Sequence, residues 1–588
     1  MSVGSASSAG HLRDARRRWW LGGLAAIASA LAYLNSLRNP FVYDDVRMVL
    51  DNPSIQDVTA VSSIIIREFA RPLVNFSYAV DRAIWGVEPF GFHLTSLLLH
   101  ALNVWLLFGL TWTLAADRRG RAGVRSEPHG RVTVTAFGAA ALFGLHPMMT
   151  QAVGYVSGRP EVLCTTFFLL ATLTGRRWLL EPRARWLVAT LVLWAAALAS
   201  KEVAAMWPFV FLLYDMTLGP GDPRGWRRRL QRFHLPLIAV TIAAGIVRLA
   251  VLIGVENPDE GALHLEYLLL EAVVVWRYVQ LLLLPVNQSV FHQVDALASV
   301  WDVRGLLAAA AVTAWSAVAW RQRQRNPLMA LGSLWFLLLL VPSAVLVTLN
   351  LGEPMAEHRV YLASAGLFTV LGSAVGWAWE RIDDRSHTRS LGVRLVLAGV
   401  LTVLGGLTVH RNVLWANPEW LWADAVERAP DVWVPRLMLG EALQRTGKLD
   451  QAAAEFRMAI RLQPGQPLSY MKLGLCLAEM GDLDSAERTF RALRQRWPGS
   501  VFASNGLGAV AMMAGRPDEA RRHFLDALAV APADITARQS LALLYETVTN
   551  EPEEALRLCE EVGELAPGTP GVAECIRRNR ERLAREQP

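Results

Sequence analysis

About eleven apolar runs fall within the first 410 residues, more than the core of a soluble fold of this length can absorb. They lie near 19–37, 92–116, 132–147, 162–178, 186–200, 202–218, 235–255, 304–320, 327–348, 361–379 and 391–409. In hydrocarbon a backbone must satisfy its own N–H and C=O groups, so such runs read as membrane helices, each needing roughly 20 residues to cross. Several are shorter, and short spans are tolerable where helix ends open into a polar cavity within the protein. Hydrophobic residues make up 53% of the 588 and charged residues 19%, a balance too apolar for an ordinary soluble chain.

The net charge is only +6 at pH 7, but arginines gather in short clusters between the apolar runs. That distribution is a membrane-topology signal rather than a nucleic-acid one. The basic stretches 13–18, 118–131, 176–185, 224–232, 321–325 and 381–394 fall in alternate loops, so one topology places them all in the cytoplasm. It puts the N-terminus inside, makes eleven crossings and leaves the C-terminal region outside. The run at 19–37 follows Arg16 to Arg18 and has no small-residue cleavage site, so it reads as a retained signal-anchor. Residues 265–285 are apolar enough to span but carry Glu266, Glu271 and Arg277. Counting them would move 321–325 to the wrong side, so 256–303 reads as a long outer loop holding an interfacial or re-entrant helix.

The last third has a different period. Pro430, Pro464, Pro498, Pro532 and Pro567 are spaced 34, 34, 34 and 35 residues apart. Gly440, Gly474 and Gly508 keep the step, as do Gly447, Gly481 and Gly515, Ala452, Ala486 and Ala520, and Phe456, Phe490 and Phe524. Small residues at helix crossings, with proline after the second helix of each pair, are the tetratricopeptide pattern. The aromatic is expected to fill the gap between neighbouring repeats. The division expected is a membrane domain over 1–410 and an α-solenoid of about four repeats over 411–588, the fourth degenerate at Ala542 and Asn550 and followed by a closing helix. Such repeats bind an extended peptide or partner on their concave face, or serve as spacers. The four cysteines have no metal or redox spacing, though Cys559 and Cys575, sixteen apart, can pair in an oxidising compartment.

Polar residues gather at the outer ends of the runs. The first outer loop, 38–91, contains Asp44 and Asp45 just beyond a span. Repulsion between adjacent carboxylates raises one pKa unless a cation or donor is near, which is the setting of a general base; the plainer reading is a helix cap or solvated turn. On the same face lie His146, then Arg159 and Glu161, then Lys201 and Glu202, then Glu357, His358 and Arg359. Singly, each is ordinary for a span end. Together they describe an outward cavity of acids, cations and histidines. Carboxylates deprotonate a hydroxyl, and Arg, Lys or His neutralises a departing phosphate, the parts needed to move a sugar from a polyprenyl phosphate to a hydroxyl. His93 and His100, seven apart, suit packing or hydrogen bonding better than a metal pair. The sequence has no Gly-rich phosphate loop, zinc spacing or Ser–His–Asp constellation. Two carboxylates can hold a cation, but spacing supplies no third, so a divalent metal stays an open cofactor question.

The segment Phe41-Val42-Tyr43-Asp44-Asp45, with Asn52-Pro53, Arg71-Pro72-Leu73, Trp85-Gly86 and Pro89-Phe90-Gly91-Phe92-His93, resembles the transmembrane-and-TPR-containing O-mannosyltransferases. Gly144-Leu145-His146-Pro147, Val156-Ser157-Gly158-Arg159, Ser200-Lys201-Glu202 and Glu357-His358-Arg359-Val360-Tyr361 are similar to later family segments, and the order of membrane region then repeats agrees. The resemblance implies a GT-C membrane bundle and use of a lipid-phosphate sugar donor on the non-cytoplasmic side. It implies Asp44 or Asp45 as catalytic base and Arg359 as a donor-phosphate contact. The family commonly reads Glu-Arg-Tyr where this chain has Glu357-His358-Arg359, and the repeat array here is short.

The expected fold class is therefore all-α, a polytopic GT-C-type helical bundle of about eleven spans followed by a TPR α-solenoid. The expected function is transfer of a sugar, mannose first, from a polyprenyl-phosphate donor to a protein Ser/Thr or glycan hydroxyl. Asp44 would be the base with Asp45 its partner. Arg71, Lys201, His358 and Arg359 would meet the donor phosphate, and His146, Arg159, Glu161, Glu202 and Glu357 would complete the site. The partners are membrane lipid, the donor and an acceptor held by the repeats, with no nucleic acid. The site and repeats are expected in the periplasm of a bacterium or the endoplasmic reticulum lumen of a eukaryote. The rivals are a membrane-anchored TPR scaffold and a lipid-linked glycan ligase or polymerase.

Overall fold

A computed structural model describes residues 19–586 apart from 122–128, 221–222, 257–263, 350–352, 384–386, 567–568 and 570. The basic stretch 13–18, parts of those at 118–131 and 381–394, and Pro567 lie outside the described residues. Every regular element among the described residues is helical. The chain divides into two compact units, Met1–Asn417 and Pro418–Pro588, the first ending just past the helix His387–Trp415.

In the first unit six helices are long and apolar enough to cross a membrane: Pro89–Asp117, Gly225–Val255, Val303–Gln322, Pro327–Thr348, Glu357–Arg381 and Gly392–Trp415. A seventh forms if Gly130–Leu145 and Pro147–Val153, bent by 53°, count as one span. The count of about eleven is thus not reached by length and composition. The reason lies in where the helices break. The run at 19–37 gives a helix only over Trp19–Ala32, and that at 186–200 only over Ala184–Leu198. The run at 202–218 begins as a 3₁₀ turn, Glu202–Met206, before the helix Trp207–Thr217. The run at 162–178 lies in a 22-residue helix, Arg159–Leu180, that carries charges at both ends.

Close crossings hold the bundle. A Cβ on Gly332 would lie 2.5 Å from the Gly366 carbonyl, and one on Gly366 equally near that of Gly332, so this helix pair packs backbone to backbone. Polar groups inside the bundle are bonded to one another. His100 Nδ1 lies 2.6 Å from the Tyr361 hydroxyl and Nε2 lies 3.2 Å from the Gly144 carbonyl. Asn103 donates to the Val162 carbonyl at 2.8 Å and accepts from Thr166 at 2.8 Å. His100 is therefore a hydrogen-bonded packing residue, and His93 is fully buried.

The loop at 38–91 folds into a small helical cap. Helices Val61–Arg67 and Pro72–Trp85 close over Phe41, Val49, Ile55, Ile64, Tyr78 and Phe92, a core completed by Val156 and Leu163. Asn52 bonds Ser54 and Asn75, which in turn holds the Ile64 carbonyl at 2.8 Å, so Asn52-Pro53 is a structural clasp. The segment at 265–285 is the helix Leu265–Leu283. The His264 N–H, at its start, donates to the Thr348 carbonyl at 3.0 Å, and Tyr278 near its end donates to the Ala356 carbonyl at 2.8 Å. Thr348 and Ala356 bracket the loop joining two antiparallel helices, so both ends of this helix are tied to one rim of the bundle.

The second unit opens with the helix Pro418–Arg428 and continues as four helical hairpins: Trp433–Arg445 with Leu449–Leu462, Pro467–Glu479 with Leu483–Arg496, Val501–Met513 with Pro517–Val530, and Ile535–Leu544 with Pro552–Leu565. The helix Val572–Glu586 follows. A Cβ on Gly440, Gly474 or Gly508 would lie 2.5 Å from the ring of Phe456, Phe490 or Phe524, so each aromatic sits on its own hairpin's glycine. Phe490 also meets Gly506 of the next repeat, which extends the inter-repeat role expected of it. Each turn needs a left-handed residue, supplied by Gly447, Gly481 and Gly515 and, in the fourth copy, by Asn550 at φ 56°. The single extra residue of that copy is absorbed in a π-helical turn at Tyr545–Thr549. With that shift Cys559 occupies the aromatic's place, and it is disulfide-bonded to Cys575 in the closing helix.

Candidate active site

The two aspartates have different surroundings. Tyr43, just before them, adopts a left-handed φ of 52°, a strained conformation for a bulky residue that turns the chain sharply. Asp45 is fully buried. Its Oδ1 accepts from the Ser157 N–H at 2.7 Å and hydroxyl at 2.6 Å, and its Oδ2 from the Val42 N–H at 3.1 Å. Burial pushes its carboxyl up to about 7, against the pull of the Ser157 and Val42 donors; Asp44 adds only a smaller upward push. The repulsion expected from sequence is thus the lesser cause. Asp44 is half-buried, and its Oδ2 accepts from the Tyr155 hydroxyl at 3.1 Å, while that hydroxyl accepts the Asp44 N–H at 3.2 Å. Its Oδ1 bonds to no other described residue.

Apart from the Val42 N–H, the partners of both acids come from one short stretch, 154–158, just before the helix Arg159–Leu180. Here the turn Val156–Gly158 passes so close to the preceding segment that a Cβ on Gly158 would lie 2.5 Å from the Gln151 carbonyl. Only glycine permits that approach, and it is what delivers Ser157 to Asp45.

Cations gather beside the acids. The Leu73 N–H donates to the Ala199 carbonyl at 3.1 Å, tying the 38–91 loop to the segment that carries Lys201 and Glu202. There Arg71 pairs with Glu202 at 3.0 Å, and the buried Lys201 pairs with Glu161. Arg71 and Lys201 both lie within electrostatic reach of the Glu202 carboxylate. On the turn Glu357–Val360, His358 and Arg359 are half-buried. His358 N–H donates to Gln151 at 2.8 Å, and Lys201, Arg359 and Arg71 all lie within electrostatic reach of its ring. Arg359 donates to the Glu353 carbonyl oxygen and makes no carboxylate ion pair among the described residues. The Glu353 carboxyl is raised by burial, lowered by Arg359 and raised again by Asp44, which puts it beside both.

The structure therefore brings Asp44, Asp45, Arg71, Glu161, Lys201, Glu202, His358 and Arg359 into one connected polar rim. Three other expected site residues are turned to structural use. Arg159 is fully buried, 2.6 Å from Asp81, donating to the Phe92 carbonyl at 2.8 Å and lying over the Tyr78 ring. His146 is buried and caps the turn Pro147–Met149 through Nδ1. Glu357 is buried and accepts from the Ser289 N–H at 2.9 Å and from His292 at 3.0 Å, anchoring the 284–302 loop.

A tetratricopeptide-repeat family model matches residues 437–501. The chain is 24% identical to the protein O-mannosyl-transferase Tmtc1 of Drosophila melanogaster over 76% of its own length and 61% of that protein's. It is 25% identical to human protein O-mannosyl-transferase TMTC1 over 75% of its length and 55% of that protein's. The chain is TMTC-like. It spans about three-fifths of the length of these curated relatives, 61% and 55% for these two. Among solved structures, a thermophilic TPR protein of Thermus thermophilus aligns with 33% of this chain and 96% of its own at 20% identity, with a TM-score of 0.26.

Of the contributors to the site of this TMTC-like chain, Tyr155 is the one that sequence reasoning did not single out; a hydroxyl-bearing residue two before Ser157 was the available signal. Ser157 and Glu353 belong to the polar clusters read from sequence, at the start of 157–161 and of 353–361, but were given no role there, and the structure supplies it. No group of three or more His, Cys, Asp or Glu among the described residues is arranged to hold a metal ion.

Proposed function

We propose that this chain is a membrane glycosyltransferase of GT-C type. It moves a sugar, mannose by analogy with the curated relatives' names, from a polyprenyl-phosphate donor to a protein Ser/Thr hydroxyl on the non-cytoplasmic side. The observation that carries the reading is that Asp44, whose Oδ1 bonds to no other described residue, and Arg359, a guanidinium in no carboxylate ion pair among the described residues, both lie within electrostatic reach of Glu353. A general base must keep an oxygen for the acceptor hydroxyl, and a cation already neutralised by a carboxylate stabilises a leaving phosphate less. Arg71 and Lys201, each paired, then serve as a supporting positive wall. Asp45 fixes the loop that presents Asp44. The disulfide Cys559–Cys575 supports placing the repeats in an oxidising compartment, because cytosolic thiols are kept reduced. The helices too short to span alone are accommodated if their ends open onto the polar rim, which is how about eleven crossings remain compatible with the shorter helices.

The test is transfer from mannosyl-phosphoryl polyprenol to a Ser/Thr peptide by the purified full chain. Asp44→Asn is expected to lower the rate by about 10²–10⁴-fold, the contribution typical of general base catalysis. A folded Asp44→Asn protein with undiminished transfer would remove the assignment.

A further inference from the structure

The repeat unit holds a basic groove that the proposed transfer chemistry does not use. It is a cavity of about 660 Å³ between the second helices of the first two repeats, Leu449–Leu462 and Leu483–Arg496, floored by the helix Pro467–Glu479. Arg457 and Arg461 enter from one wall and Arg488 from the other, with Ser485 and Thr489 beside Arg488 and the Tyr470 ring on the floor. Several arginines of this unit are tied to carboxylates, among them Arg436 to Glu455, Arg516 to Glu487, Arg538 to Glu561 and Arg557 to Glu554, whereas none of the three groove arginines makes a carboxylate ion pair among the described residues. Arg488 donates to the Ser485 hydroxyl at 2.8 Å and Arg461 to the Met458 sulfur. Asp482 acts on Arg488 and Arg457 from beyond ion-pair distance and is spent capping the Ser485 N–H at 3.1 Å.

Three exposed guanidiniums lining one groove give it a local positive potential that attracts an anionic occupant. Arg457 and Arg461 are one helical turn apart on one wall and Arg488 lies on the other, so the charges are distributed around the groove above its apolar floor. An extended chain with spaced carboxylates meets charges on both walls while its other side chains cover the floor; a single phosphate leaves that floor bare. The apolar floor, Leu473 and Leu477 with Tyr470, gives intervening side chains a surface to cover. We infer that this groove docks an extended acidic peptide segment carried by the acceptor protein. The inference rests on the reading of the repeats as an acceptor-holding arm. It assigns that role to the groove between second helices, whereas an extended peptide was expected on the concave face.

The experiment uses the full chain in nanodiscs of neutral lipid and a labelled peptide of alternating Asp and Leu, followed by fluorescence anisotropy. Wild type is expected to bind it, and binding is expected to weaken about tenfold or more both for the Asn-for-Asp peptide and for the Arg457→Gln/Arg461→Gln/Arg488→Gln protein. A matching set of Arg→Lys substitutions, which keep the charge and the fold, is expected to retain most of the affinity. No binding by wild type, or equal binding by the triple Gln protein with an unchanged thermal transition, overturns the inference. So does arginine-dependent binding of phosphatidylglycerol vesicles in place of the peptide, which would make the occupant a lipid headgroup. Asp44→Asn is expected to bind the peptide like wild type. Peptide binding without transfer by wild type would therefore fault the catalytic reading alone, and transfer without peptide binding would fault the groove alone.

Discussion

Asp44 and Asp45 are chemically identical neighbours, and the division of labour between them comes from residues more than a hundred positions away. Ser157 takes up Asp45, and Tyr155 leaves Asp44 half open. The acid pair was legible as a site because a membrane surface has little use for two adjacent carboxylates; which one stays open was not, because burial is a tertiary property. The Asp45 carboxyl has a pH consequence. Its folded pKa, about 7, lies above the unfolded value of about 3.9, so the folded state holds a proton that the unfolded state has lost. Its contribution to stability is fully present below about pH 4 and disappears as pH rises through about 7. Asp45→Asn cannot titrate, so its melting temperature is expected to vary less between those pH values than that of wild type, as differential scanning fluorimetry across the range would register. A matching slope in both proteins would assign the titration elsewhere. Arg159 gives the opposite lesson. It reads as a surface cation from sequence, yet it is a fully buried ion-pair partner. Arg159→Gln strands Asp81 and is expected to cost about 3–5 kcal/mol of stability, seen as a lowered thermal transition, while the KM for donor in the surviving folded fraction stays near wild type.

At the scale of elements, the repeats were the most legible part of the chain. Glycine at the crossing, glycine in the turn and an aromatic knob are local requirements, and each recurs with the period that the structure obeys. The fourth repeat departs by one residue, and periodicity alone registered it only as degeneracy. In the structure the extra residue becomes the turn Tyr545–Thr549, Asn550 takes the left-handed glycine's place, and Cys559 substitutes a covalent bond for the knob. Intact mass under non-reducing and reducing alkylation is expected to find Cys559 and Cys575 oxidised in the purified protein. Cys559→Ser/Cys575→Ser is expected to lose about 2–4 kcal/mol, read as an earlier unfolding transition of the repeats with transfer to a short free peptide unaffected. The helix breaks of the membrane unit were less legible. Hydropathy sees an unbroken apolar run at 202–218, but Lys201 and Glu202 bind Glu161 and Arg71, and those bonds hold the backbone in a 3₁₀ turn there.

For the whole molecule, the number of crossings decides where the chemistry can occur, and arginine placement argues it more directly than helix length does. Six helices pass a length and composition test and a seventh passes when bent; the topology proposed from the basic clusters has an odd total and leaves the repeats outside. The native cysteines make the question tractable. Cys164 and Cys476 are buried, and the other two are bonded to each other, so a single introduced surface cysteine reports its own side of the membrane. Gln463 and Gln324 are both exposed, the first in a repeat turn and the second in the basic loop after Val303–Gln322. With sealed right-side-out vesicles and a membrane-impermeant maleimide, Gln463→Cys is expected to label at once and Gln324→Cys only after permeabilisation. Labelling of both from the same side would require an even number of crossings between them, and the polar rim would then face a compartment different from that of the repeats. In that case an acceptor held by the repeats could not reach Asp44, and the scaffold reading of the repeats would gain what the transferase reading lost.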